Sequence, residues 1–295
     1  MSNETQARQI VNSFPVQKAT IEDIEIEYRI LENKNKNKNK NNGRGGNDNA
    51  PILFIAGLRI TMDMWPPRIL NELAQSNRSV IIYNNRGTGN SSTGTKEYSI
   101  NQLAKDAADL LNSLDIEKAH VIGWSMGSYI AAELALFYPD KVRSLILYGS
   151  GPGGDKAIPS SADLMQTLGG VAGTPEEQAR QILSFFFPSS WLLDNPEYIN
   201  HFPLLKSTVS IETTQKQAQA IVGWNGIYNS PSVIIQPTLV LMGTEDIITT
   251  PKAALSLIEK IPLGSLIQIK DAGHGWMYQY PEKFTKVVQT FLDII

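Results

Sequence analysis

Six short runs of mostly apolar residues punctuate this chain, at 51–56, 80–83, 119–122, 142–148, 238–242 and 265–269, with apolar side chains at consecutive positions. A strand that is apolar on both faces must be covered on both faces, which is the habit of parallel sheets. Helix-like stretches separate the runs, at 67–75, 100–114, 126–138, 251–260 and 281–295. This alternation predicts an α/β protein with a mostly parallel central sheet and helices on both sides. The segment 152–232 breaks the rhythm. It holds helix-like stretches and an excess of aromatics, and one stretch opens Thr174-Pro175-Glu176-Glu177, an N-cap followed by proline at the first helical position. A helical lid over 152–232 is therefore expected, inserted between two strands of a core formed by 17–151 and 233–295.

The first strand pattern is different. Ile24, Ile26, Tyr28 and Ile30 alternate with Glu25, Glu27 and Arg29, and period two predicts a strand with one wet face at a sheet edge. The following residues, 33–49, are almost wholly Asn, Lys and Gly. With no apolar side chain to bury, they are expected to form a disordered loop insertion. Lys34, Lys36, Lys38 and Lys40 read there as a solvated face, or alternatively as an arm for an acidic partner.

Composition removes several classes of function. At 295 residues with 42% hydrophobic and 19% charged side chains, the chain can bury one large core. A net charge of −3 gives no general attraction to nucleic acid or an anionic membrane. The absence of cysteine excludes disulfides, thiolate metal sites and a cysteine nucleophile. The first residues lack the basic head and apolar core of a signal peptide, and no apolar run approaches the roughly 18 residues that span a bilayer. A soluble, cytoplasmic protein is the expectation.

The chemistry gathers at Gly123-Trp124-Ser125-Met126-Gly127, between the run 119–122 and the helix-like 126–138. A Gly-x-Ser-x-Gly at a strand-to-helix junction forces the serine into a tight turn and exposes its hydroxyl above the sheet. As a nucleophile Ser125 requires a base, an acid to orient that base, and donors for the developing oxyanion. Of three histidines, His120 lies inside a buried strand and His201 among apolar residues of the lid. His274, in Asp271-Ala272-Gly273-His274-Gly275, stands just past the run 265–269 and is the candidate base. The run 238–242 ends in Gly243-Thr244-Glu245-Asp246, which makes Asp246 the candidate acid with Glu245 in reserve, while Asp271 reads as a turn former. The backbone N–H groups of Met126 and of Leu58, in the loop after 51–56, are the candidate oxyanion donors. Trp124, Phe186, Trp191 and Trp224 are candidate pocket residues. Arg59 reads as solvent-facing or scaffold, with a substrate carboxylate as its other possible partner.

The order Ser125, Asp246, His274 is that of the α/β-hydrolase triad. The chain resembles the serine-nucleophile branch of that fold with an inserted helical lid. The resemblance rests on the motif at 123–127, on Asn85-Arg86-Gly87-Thr88-Gly89-Asn90-Ser91, on the strand end at 243–246 and on Gly273-His274-Gly275. Residues 55–58, 64–66 and 85–89 are similar to aclacinomycin methylesterase-like and haloperoxidase-like esterases. Two positions depart from the common pattern: Ala56 stands where many relatives have His, and Asn84 where many have Asp. A serine rather than an aspartate nucleophile disfavours the epoxide hydrolase and haloalkane dehalogenase branches. The reading is a serine hydrolase of small, apolar, uncharged carboxylic esters, with lactones and thioesters in the same range, requiring no metal or organic cofactor. Carbon–carbon bond hydrolysis, perhydrolysis or acyl transfer are the rivals within the enzymes. A non-catalytic ligand-binding protein of the same fold is the rival outside them.

Overall fold

The consecutive apolar runs become the middle of one sheet, where neither face meets water. The computed structural model describes residues 3–32, 49–76, 78–156, 174–200 and 209–295. Among them eight strands pair in one sheet: β1 (Gln17–Ile21), β2 (Ile24–Leu31), β3 (Ile52–Ile55), β4 (Val80–Tyr83), β5 (Ala119–Trp124), β6 (Val142–Tyr148), β7 (Thr238–Gly243) and β8 (Gly264–Ile269). Their order is β1-β2-β4-β3-β5-β6-β7-β8. Pairing is antiparallel from β1 through β2 to β4 and parallel from β4 onward.

Two apolar layers cover the sheet. One packs α3 (Ile100–Ser113), α4 (Met126–Phe137) and α8 (Pro251–Ile258) on one face through Leu103, Leu110, Ile130, Leu134 and Leu257. The other packs α1 (Asn3–Asn12), α2 (Pro67–Gln75) and, after the short α9 (Trp276–Gln279), α10 (Pro281–Ile294) on the opposite face through Val11, Leu70, Leu73, Phe284 and Phe291. Helix starts are chemically marked. Ser99 caps α3 through Gln102 N, and Thr250 caps α8 through Ala253 N. Between β6 and β7 lie α5 (Pro175–Phe186), α6 (Ser189–Asp194) and α7 (Ile211–Val222). The Thr174–Glu177 pair forms a reciprocal capping box at the start of α5.

Two expectations are corrected at the sheet margins. β2 is not an edge strand, because β1 takes the edge and β2 pairs on both sides. Of the three residues on its supposed wet face only Glu25 meets solvent, while Glu27 and Arg29 are each only 6% exposed. Partners make that burial tolerable: Glu27 accepts from Asn84 Nδ2 and Asn90 N, and Arg29 donates to Val11 O and Asn12 Oδ1. The second edge is β8, whose side chains are partly buried or exposed rather than covered on both faces. The expected loop at 33–49 lies, except for Asn49, outside the described residues, as does His201. No helix among the described residues is long and apolar enough to cross a membrane.

Candidate active site

β3, β5, β7 and β8 run parallel, so their carboxyl ends lie along one edge of the sheet, and each is followed by a candidate residue. Ser125 sits between β5 and α4 with φ 57° and ψ −124°, a backbone conformation that a non-glycine residue adopts only when its surroundings force it. The forcing is steric. A Cβ at Gly127 would lie 2.0 Å from Ile55 O, and one at Gly123 would lie 2.2 Å from Gly127 O. A side chain at Gly127 would push the turn away from β3, and one at Gly123 would push the start of α4 away from β5, which explains the two glycines of the motif. Ser125 N donates to Tyr148 O at 2.9 Å, locking the turn to β6.

Asp246 and His274 meet across the ends of β7 and β8. His274 Nδ1 lies 2.8 Å from Asp246 Oδ2. The other carboxylate oxygen accepts from Ile248 N and Thr249 N, both at 2.9 Å. An ionised carboxylate can only accept, so Nδ1 carries the proton and Nε2 is left as the basic nitrogen. Thr249 Oγ1 stands 3.2 Å from His274 Nδ1 and 3.4 Å from Asp246 Oδ2, bracing the pair. Glu245 is exposed, and Asp271 is an exposed turn residue at φ 57°.

The histidine loop is tied to the nucleophile strand. His274 O accepts from Trp124 Nε1 at 3.2 Å and from the Tyr148 hydroxyl at 2.5 Å. Burial holds the Tyr148 phenol well above its usual pKa, so it remains a donor. The Trp124 ring lies 5.8 Å from the His274 ring, and the Phe186 ring stands edge-on at 5.5 Å. Gly275 N donates to Phe186 O, which joins the end of α5 to the same loop. The loop after β3 rides over the elbow: a Cβ at Gly57 would be 3.0 Å from Trp124 O and 3.1 Å from Ser125 Cβ. Leu58 is the next residue.

The candidate pocket residues separate. Phe186 adjoins His274. Trp124 is fully buried beneath the histidine loop and acts as its support. Trp191 packs against Phe187 and Tyr198, with ring centroids 4.9 and 4.7 Å away. Trp224 lies in the opposite layer, 4.7 Å from the Tyr129 ring, with its indole N–H donated to Glu133 Oε2 at 2.9 Å. It lines a cleft of about 680 Å³, with Tyr98, Glu133 and Lys216, that none of Ser125, Asp246 or His274 borders. His120 is a buried strand residue whose Nδ1 meets Ser144 Oγ at 2.8 Å. Sequence reasoning missed Thr249 and Tyr148. A threonine three residues after a strand-end aspartate was the available signal for the first; nothing local marked the second.

This architecture and constellation define the chain as a member of the α/β-hydrolase-fold family, and the family's sequence model, described as "alpha/beta hydrolase fold", matches residues 50–279. Among its relatives is a protein of Azorhizobium caulinodans provisionally named carbamate hydrolase RutD, 26% identical over 82% of this chain and 90% of that protein. Rhodomycin D methylesterase DauP of a Streptomyces species is 27% identical, covering 77% of this chain and 85% of its own. A solved α/β hydrolase fold protein from Chitinophaga pinensis superposes with a TM-score of 0.77 at 27% identity, covering 96% of this chain and 98% of that one.

Proposed function

We propose that this protein is a serine hydrolase that cleaves the carboxylic ester of a small, apolar, uncharged molecule through an acyl-enzyme. The observation that carries the reading is the 2.8 Å contact of Asp246 with His274 Nδ1, with the His274 loop bonded to Trp124 next to a serine held at positive φ. His274 Nε2 takes the Ser125 proton as the hydroxyl oxygen attacks the carbonyl carbon. The Met126 and Leu58 amides stabilise the resulting oxyanion. The proton then passes to the leaving alcohol, the acyl group stays on Ser125, and water enters with His274 again as base. Asp246 keeps the imidazole in the required tautomer and stabilises its charged form. The apolar setting of Trp124 and Phe186 supports an uncharged substrate, and the methylesterase relative supports an ester.

The test is hydrolysis of p-nitrophenyl esters from acetate to decanoate, with a matched p-nitrophenyl carbamate, by wild type and Ser125→Ala. We expect ester turnover and fluorophosphonate labelling in wild type and neither in the variant. A preference for the carbamate would keep the nucleophile and replace the substrate class. No turnover and no labelling in wild type would leave a ligand-binding protein of this fold.

A further inference from the structure

The loop that carries Leu58 is held by side chains from two separate parts of the molecule. From the end of β4, Asn85 Nδ2 donates to Ala56 O at 3.1 Å, and Asn84 Oδ1 accepts from Met62 N at 2.7 Å. The remaining hold comes from the region between β6 and β7. Arg59 N donates to Gln217 Oε1 at 3.1 Å, across 158 residues of sequence. Gln217, on α7, is 0% exposed, and its Nε2 donates to Thr88 Oγ1 at 3.2 Å, where Thr88 is also 0% exposed. A buried carboxamide with its oxygen and nitrogen both engaged has one orientation.

The placement of these bonds matters more than their number. The Leu58 N–H belongs to the peptide plane between Gly57 and Leu58, and a peptide plane is rigid. The plane before it is fixed through Ala56 O by Asn85. The plane after it is fixed through Arg59 N by Gln217, at a residue with φ 60°. The middle plane could still turn by opposite changes of Gly57 ψ and Leu58 φ, but its own carbonyl, Gly57 O, accepts from Ile60 N at 3.2 Å, closing a turn whose central peptide is the one Gln217 holds. We propose that Gln217 is a positioning residue of the oxyanion hole, a glutamine from the helical region above the core that aims the Leu58 N–H at the reacting carbonyl. This rests on the reading of Ser125 as nucleophile and Leu58 as oxyanion donor. It also means that α7 is part of the catalytic geometry and cannot swing away during turnover.

The experiment compares wild type with Gln217→Met, which keeps the length of the side chain and removes the acceptor. We expect kcat for p-nitrophenyl butyrate to fall on the order of 10- to 100-fold with KM changed by less than about twofold. The Ki of a boronic acid, whose tetrahedral adduct places an oxygen in the hole, should rise by the same factor. Gln217→Glu retains an oxygen for Arg59 N and should recover most of kcat. Lys216→Ala, on the same helix, should match wild type. If Gln217→Met does not fold, Thr88→Val frees the carboxamide and should lower kcat on the order of threefold with the same boronate signature. Wild-type kcat in a folded Gln217→Met, or a loss of activity that leaves the boronate Ki unchanged, overturns the proposal. Ser125→Ala separates the two levels. Full activity there removes the serine-hydrolase reading itself, whereas an inactive Ser125→Ala beside an unimpaired Gln217→Met removes only the role of Gln217.

Discussion

Two helix ends in the region between β6 and β7, those of α5 and α7, carry the same aromatic character and rest on opposite sides of the sheet. At the end of α5, Phe186 and Phe187 join the layer of α2 and α10, and Phe186 meets the His274 ring edge-on. Past the end of α7, Trp224 joins the layer of α3 and α4, tilted against the Tyr129 ring and bonded to Glu133. One aromatic faces the chemistry and the other fastens the region to the core. The difference teaches that aromatic content marks where a segment must pack, while the layer it packs against decides what it does. Both ends in turn differ from the strand-end loops beneath them, where directed hydrogen bonds set the geometry: the Ile248 and Thr249 amides hold Asp246, and the Trp124 and Tyr148 side chains donate to His274 O.

That contrast can be broken in three places. The largest effect is expected in the loops: Asp246→Asn should leave the fold intact and lower kcat by about 10⁴-fold, because the imidazole loses its enforced tautomer. A melting curve beside steady-state kinetics checks it, and a drop below about tenfold would mean that the loops do not carry the chemistry as described. Next comes the α5 end. Phe186→Ala should reduce kcat/KM on the order of 10- to 100-fold for long acyl esters and less for acetate, since the lost contact is apolar. An equal loss across all chain lengths would assign Phe186 to holding the His274 loop rather than to contacting substrate. The smallest effect on activity belongs to the α7 end. Trp224→Phe leaves Glu133 Oε2 buried without its donor, at a cost of about 1–3 kcal/mol. The melting temperature should fall by several degrees while KM and kcat stay near wild type. A change in chain-length preference there would erase the distinction between the two ends.

Much of this was legible before any coordinates. The helix starts at Pro67, Ile100, Met126, Pro251 and Pro281 follow from their caps, prolines and apolar spacing, and all five are observed. The elbow at 123–127 and the strand-end Asp246 and His274 were legible because each is announced by glycines within a few residues. The errors are equally specific. Glu27 and Arg29 looked solvated because alternation implies a wet face, yet their partners Asn84, Asn90, Val11 and Asn12 come from other elements. β8 looked buried because three of its residues are apolar, but it ends the sheet and no strand lies beyond it among the described residues.

By itself, then, the sequence determined the alternation of strands and helices, the strained turn at Ser125 and the chain order of the candidate residues. These are properties of neighbours along the chain, governed by steric limits on φ and ψ and by the period of apolar side chains. Only the tertiary structure decided which side of the sheet received Phe186 and which received Trp224, and which distant side chain would hold Arg59 N. Gln217 has no local signal because its environment is made by Arg59 and Thr88. A hydrogen bond across 158 residues exists only once the layers have packed.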